Sequence, residues 1–189
     1  MTPFDRLRKH ALDLAAFLWG VAEATLFFIV PDMLLSAIGL RRGVKAAARA
    51  SIIAALGASA GGVIMYLWSA RDPAGAHAAV LAVPAISAAM ADTAAATMAE
   101  NWFAATLLGP LSSTPFKLYA ILAPAAGASL PAFALASVAA RLPRFLAVSI
   151  GVALIGAWLR PRIGEKPLPW LLAGAWVLFY AAFFALMPN

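Results

Sequence analysis

The stretch FLWGVAEATLFFIVPDMLLSAIGL, residues 17–40, is apolar enough to lie in a membrane, yet it contains Glu23, Asp32 and a central Pro31. A carboxylate in the hydrocarbon core costs roughly 2.5–3.5 kcal/mol on insertion scales, so these acids are not expected to face lipid. Proline disfavours helix in the residue before it, and a break at membrane depth is tolerated only inside protein or beside a wet cavity. We therefore predict that this stretch, the first broken segment, forms two half-helices that meet at Pro31 as a re-entrant hairpin.

The composition indicates an all-α integral membrane protein. The chain is 64% hydrophobic and 12% charged, whereas soluble domains are about 45–50% apolar and about 25% charged. The net charge of +6 points to anionic lipid headgroups and membrane topology, and no nucleic-acid partner is predicted. Cysteine is absent from the sequence, which excludes disulfides, thiolate metal sites and cysteine nucleophiles.

The rest of the chain completes a single predicted membrane domain, residues 1–189. The predicted parts are an interfacial amphipathic helix at 1–16, transmembrane helices at 50–70, 131–160 and 168–187, interfacial helices at 74–99, and a second broken segment at 101–127. The second broken segment repeats the plan of the first, because two short apolar legs flank the break GPLSSTP at 109–115. In the 50–70 helix, Gly57 and Gly61 form a small-xxx-small face suited to close helix packing.

The two halves of the chain follow one plan. Aligning Pro31 with Pro115 places the 50–70 helix opposite residues 134–154, and paired broken segments of this kind are typical of transporter sites at a repeat interface. We therefore predict an inverted repeat of two re-entrant helical hairpins plus transmembrane helices. Basic residues cluster at 6–9, 41–49 and 160–166. All three clusters lie on the cytoplasmic side only if residues 11–40 enter and leave by the same face.

Five charges remain inside the apolar layer, and they are the predicted site: Glu23, Asp32, Lys117, Arg141 and Arg144. The acids come from the first half and the bases from the second, so meeting hairpin tips would offset the cost of burying them. Arginine binds phosphate bidentately and lysine adds a point charge. We predict that the three bases hold a lipid phosphate. Because burial favours the protonated carboxyl, we expect the two acids to take up protons coupled to transport.

Two other interpretations remain open beside transport. Buried acid–base pairs often only hold helices together, which would make the protein a non-transporting scaffold or assembly factor. Residues 57–61 match the G-x-S-x-G pattern of serine hydrolases, but they lie inside an apolar run without a histidine base in another span, so no enzyme is predicted. Two distant histidines and the lack of a phosphate-binding loop argue against a metal or nucleotide cofactor. The sequence leaves the formation of a homo-oligomer open.

Several motifs together resemble the DedA superfamily of SNARE-associated or VTT-domain membrane proteins, and its YqaA-like branch above all. The resemblance covers about residues 15–160 and rests on ordered matches at Glu23, Phe27, Phe28, Pro31, Asp32, Gly39, Gly62, Tyr66, Thr114, Pro115, Phe116, Lys117, Gly127, Arg141, Arg144 and Phe145. The first tip reads V-P-D-M where the family often has P-G-E or P-S-E, and Leu142 and Pro143 stand where glycine and another small or basic residue are common.

The resemblance implies two opposed re-entrant hairpins and a flippase or scramblase that moves a phospholipid or a polyprenyl-phosphate carrier between leaflets. It also implies that acidic and arginine residues are needed, often together with the proton motive force. Carried over by position, Glu23 and Asp32 match the acidic residues, and Arg141 and Arg144 match the basic ones. The expected location is the bacterial inner membrane, with a cytoplasmic N-terminus and a periplasmic C-terminus. The lipid, the direction of movement and the coupling ion stay open.

Overall fold

The computed structural model describes residues 3–109 and 114–186, with side chains from His10 onward. Regular secondary structure in this part of the chain is entirely helical. The helices are α1 Pro3–Ala24, α2 Asp32–Arg42, α3 Val44–Arg71, α4 Pro73–Leu81, α5 Ala88–Leu108, α6 Phe116–Leu122, α7 Leu130–Ile163 and α8 Leu168–Leu186.

Three of these helices, α3, α7 and α8, are long and apolar enough to cross a membrane. They contain 28, 34 and 19 residues, and a rise of 1.5 Å per residue makes even the shortest about 28 Å long. The hydrocarbon core of a bilayer is about 30 Å thick. The three predicted transmembrane helices are thus confirmed by length and composition, and the chain has the character of an all-α membrane protein.

The first broken segment is interrupted, as predicted, but its first leg is longer than expected. α1 runs unbroken from Pro3 to Ala24, so the predicted surface helix at 1–16 and the first leg are one helix. The continuity follows from the sequence, because residues 4–24 contain no proline and a single glycine, Gly20. Residues 25–31 form the first break, and α2 begins at Asp32 directly after Pro31. The two legs pack mainly on other helices, α1 on α3 and α2 on α7 and α3.

Small residues let α1 and α3 approach each other closely. A Cβ atom added to Gly57 would overlap the carbonyl oxygen of Phe17, and one on Gly20 would overlap the carbonyl oxygen of Ala54. A Cβ atom added to Gly61 would lie 2.6 Å from the carbonyl oxygen of Val21, which is also too close. The packing role predicted for Gly57 and Gly61 is therefore confirmed, and this contact fixes the end of α1 that carries Glu23.

α7 is one continuous helix through Pro143, although a proline inside a helix removes a backbone donor and usually kinks or breaks it. A proline inside a membrane helix is tolerated when neighbouring groups satisfy the freed backbone. α7 packs along α3 through serine hydroxyls that lie between them. Ser51 bonds to Ser149 at 2.9 Å, and Ser59 donates to the carbonyl of Ala134 at 2.8 Å. Because α7 stays helical, Arg141 and Arg144 project from adjacent positions of one helix face.

The second broken segment also consists of two short legs. α5 has a non-helical residue at Asn101, with φ −158° and ψ 95°, so residues 102–108 form a separate leg whose start is capped by the Asn101 side chain. α6 is the second leg. Pro110, Ser112 and Ser113 of the predicted break lie outside the described residues. α4 and the part of α5 before Asn101 occupy the region where two interfacial helices are predicted.

Candidate functional site

Glu23 at the end of α1 forms an ion pair with Arg141 on α7. The Arg141 side chain is 2% exposed and the Glu23 side chain 9% exposed. The guanidinium carbon lies 5.4 Å from the centre of the Phe116 ring and 5.0 Å from that of Phe145, so two aromatic faces enclose the charge. Such contacts stabilise a desolvated cation. The pair therefore joins the first broken segment to α7 in a dry environment.

Asp32 at the start of α2 pairs with Arg144, with 2.9 Å between Oδ2 and Nη2. The two partners differ in exposure, because the Asp32 side chain is 1% exposed and the Arg144 side chain 32% exposed. The other carboxylate oxygen of Asp32, Oδ1, has no hydrogen-bond partner among the described residues. The N-terminal end of a helix stabilises a negative charge. This second pair thus has a buried acid and a base that reaches an open space.

Lys117 of the second broken segment reaches the first break. Its side chain is buried, and its Nζ atom donates a hydrogen bond of 2.9 Å to the carbonyl oxygen of Phe27. An ammonium group has three donors, so this bond leaves capacity for an anionic partner. The five predicted site residues therefore lie around one region, where Glu23 meets Arg141, Asp32 meets Arg144, and Lys117 holds the backbone between the two acids.

Side chains from three helices satisfy the backbone of the first break. Besides Lys117 of α6, Trp19 of α1 donates to the carbonyl of Ile29 at 2.9 Å, and the Tyr180 hydroxyl of α8 accepts from the N–H of Val30 at 2.9 Å. Unpaired backbone groups cost several kcal/mol in hydrocarbon, so irregular backbone at that depth needs partners of this kind. The first break is held by protein on several sides.

A cavity of about 310 Å³ lies where these elements meet. Four charged residues, Glu23, Lys117, Arg141 and Arg144, line it, together with aromatic side chains of the first break and α8. Asp32 lies behind Arg144 and does not line the cavity. The lining carries three bases and one acid, and with Asp32 behind Arg144 the group keeps one positive charge in excess, which favours an anionic guest. Ligand pockets span about 300–1,000 Å³, so this one suits a small group.

α8 contributes more to the site than its sequence suggests. Phe179, Tyr180 and Phe183 line the cavity, although the sequence indicates only a plain apolar span. One signal was available, because a buried tyrosine hydroxyl usually finds a hydrogen-bond partner and Tyr180 is the one tyrosine in the last span. The sequence does not reveal that this partner is Val30.

No group of three histidine or carboxylate side chains within residues 10–109 and 114–186 is placed to hold a metal ion. Comparison of the chain with protein-family models, with curated proteins and with solved structures finds no match. The resemblance to the DedA superfamily stays a prediction.

Proposed function

We propose that this protein is a bacterial inner-membrane lipid transporter that moves a lipid with a phosphate headgroup between leaflets, as the resemblance to the DedA superfamily implies. The observation that supports this most directly is the cavity lined by Lys117, Arg141 and Arg144 at the meeting of the two broken segments. These three cations outnumber the two acids that pair with Arg141 and Arg144, and an excess positive charge attracts an anion more strongly where the local dielectric constant is lower than that of water.

Within this cavity, Arg144 is the base best placed to bind a phosphate. Arg141 is buried against Glu23 and two aromatic rings, although its Nε atom has no hydrogen-bond partner among the described residues, whereas Arg144 is partly exposed and pairs with one oxygen of Asp32. A guanidinium group presents a planar fork of donors that fits phosphate bidentately. Lys117 adds a point charge from the opposite broken segment. We assign Arg144 the principal contact and Lys117 the second.

The size of the cavity favours a headgroup over a whole lipid. A space of about 310 Å³ is at the small end of ligand pockets, so the acyl chains would remain in the hydrocarbon. Phe28 and Phe179 line the cavity and are also partly exposed on the surface, at 38% and 46%. These two rings offer an apolar edge along which the chains would follow the headgroup.

The ion pair between Asp32 and Arg144 provides a way to couple headgroup binding to proton uptake. A phosphate that takes Arg144 as its partner would leave the buried carboxylate of Asp32 without its counter-charge. An unpaired buried carboxylate is costly, and protonation removes that cost. Headgroup binding and proton uptake at Asp32 would then be linked through competition for the same guanidinium group.

The proposal is tested by reconstitution into liposomes that contain a fluorescent anionic lipid in one leaflet. Transport predicts faster movement of the label between leaflets than in protein-free vesicles, for a phospholipid or for a polyprenyl phosphate. Rates equal to those of empty vesicles for both lipid classes would refute the proposal.

The scaffold interpretation has one specific observation in its favour, the full burial of the Glu23–Arg141 pair. A dry, fully paired charge cluster is what a purely structural role requires. The two functions differ at Arg144, because a scaffold needs no partly exposed base in a cavity. A wild-type protein and an Arg144 variant that both fold and both move lipid no faster than protein-free vesicles would favour the scaffold.

A further inference from the structure

A second cavity, a groove of about 510 Å³, runs between α2 and α8. α2 contributes Met33, Ala37 and Leu40 to one wall, at helical spacing, and α8 contributes Leu172 and Trp176 to the other. The lining is apolar along most of its length. Its polar groups are Arg41 at one end, Tyr180 at the other and the Trp176 indole between them.

The two helices that form the groove run in opposite directions. Trp176 donates to the hydroxyl of Ser36 at 3.0 Å, and Tyr180, further along α8, reaches back to Val30 before α2. Arg41 therefore lies at the Pro169 end and Met33 at the Tyr180 end. At 1.5 Å per residue, the groove follows about 12 Å of α2 and about 16 Å of α8. This length is close to one leaflet of the hydrocarbon core, about 15 Å.

The outer end of the groove is basic. Arg41 is exposed, and the described part of the chain gives it no carboxylate partner. Arg160 reaches the same end, where it donates to the carbonyl of Leu40 at 3.1 Å and pairs with the exposed Glu165 at 2.9 Å, so Arg41 supplies the uncompensated charge there. An apolar channel of one leaflet's length with a free cation at its mouth matches the two parts of an anionic phospholipid, the chain and the headgroup.

We propose that the groove between α2 and α8 binds one anionic phospholipid, with its phosphate on Arg41 and an acyl chain between Ala37 and Trp176. The role of this lipid in transport rests on the proposed function. Tyr180 lines both the groove and the cavity that contains Arg144, so the inner end of the groove adjoins the headgroup site. The lipid would be drawn from the leaflet that faces the basic clusters.

The experiment places the full-length protein in phosphatidylcholine nanodiscs with a trace of phosphatidylglycerol that carries a diazirine in its acyl chain. After photolysis, mass spectrometry locates the labelled residues. We expect labels on the groove faces of α2 and α8. A diazirine phosphatidylcholine is expected to label these faces several-fold less.

Two matched pairs of variants test the two halves of the site. Arg41→Gln should lower groove labelling about fivefold, the factor that corresponds to one basic charge near an anionic membrane surface. Arg42→Gln, an exposed neighbour outside the groove, should leave it unchanged. Ala173→Trp should fill the groove and remove the labels. Ala175→Trp, on the exposed face of the same helix, should retain them.

Labels spread evenly around α8 and unaffected by Arg41→Gln would show ordinary surrounding lipid and overturn the site. Equal labelling by both lipids would overturn its preference for anions. Because labelling does not require transport, groove labelling in a protein that moves no lipid would refute the proposed function and leave the site standing. Transport without groove labelling would overturn the site alone.

Discussion

The Nζ atom of Lys117 donates a hydrogen bond of 2.9 Å to the carbonyl oxygen of Phe27 and thereby joins the two broken segments across 90 residues of chain. Lys117→Met would leave this carbonyl without its partner, and an unsatisfied buried acceptor costs about 1–3 kcal/mol. We expect faster hydrogen exchange at residues 25–31, measured by mass spectrometry, while the exchange of α3 stays unchanged.

Lys45→Met is the control, because Lys45 is exposed at the start of α3. Unaltered exchange at residues 25–31 in the Lys117 variant would show that this bond does not hold the first break.

Glu23 and Arg141 should behave as a structural pair. Arg141→Met alone leaves Glu23 buried without a counter-charge and is expected to lower the free energy of unfolding by about 3–5 kcal/mol. Glu23→Leu combined with Arg141→Met removes both charges and should recover most of that loss. The free energy of unfolding of the wild-type protein, the single variant and the double variant is measured in mixed micelles by circular dichroism. A double variant as unstable as the single one would contradict a mainly electrostatic role for the pair.

Arg144→Gln removes the principal cation of the headgroup site and also the counter-charge of the buried Asp32 carboxylate, so folding is checked alongside transport. We expect transport of an anionic lipid in liposomes to fall to the protein-free rate, while the elution profile in detergent stays monodisperse. Arg162→Gln is the matched control, since Arg162 is exposed and lies over the Trp158 ring at 3.9 Å. Equal transport rates for both variants would remove Arg144 from the site.

Asp32→Asn tests proton coupling apart from binding. The amide is nearly isosteric with the carboxyl but takes up no proton at neutral pH. In wild-type liposomes we expect the transport rate to change with an imposed pH gradient, and in the variant we expect the rate to be the same with and without it. A variant that keeps the gradient dependence would place the proton elsewhere, with Glu23 the remaining acid of the cavity.

The close contact between α1 and α3 predicts opposite effects for two glycine substitutions. Gly57→Ala would place a Cβ atom against the backbone of Phe17 and should lower the free energy of unfolding by about 1–3 kcal/mol. Gly151→Ala, in α7, meets nothing within 4 Å and should be neutral or stabilising by about 0.5–1 kcal/mol. Thermal unfolding in the same detergent compares the stability of each variant with that of the wild-type protein. A harmless Gly57→Ala would mean that the two helices have room to separate.

Features that depend on local composition were predictable from the sequence. Long apolar runs predict α3, α7 and α8, because a helix of sufficient length needs only its own backbone to satisfy its hydrogen bonds. The break before Asp32 follows from Pro31, since a proline restricts the residue before it. The opposite signs of the charges in the two halves predict that the acids meet the bases.

Features that depend on distant contacts were not predictable in the same way. Charge alone does not decide that Glu23 pairs with Arg141 and Asp32 with Arg144, because either pairing offsets the same burial cost. The extension of α1 was missed because a change from polar to apolar composition moves a helix relative to the membrane without ending it. The hydrogen bond from the Val30 N–H to the Tyr180 hydroxyl corresponds to no periodic pattern in the sequence around either residue.

The bond between Val30 and Tyr180 has a consequence for biosynthesis, because its two residues are 150 positions apart. A ribosome adding about 5–20 residues per second would need roughly 8–30 s to make the intervening chain. During that interval the amide of Val30 has to find another acceptor, in water or in the insertion machinery. The first break thus reaches its final set of hydrogen bonds only after α8, whose Tyr180 lies 150 residues further along the chain, has been made and inserted.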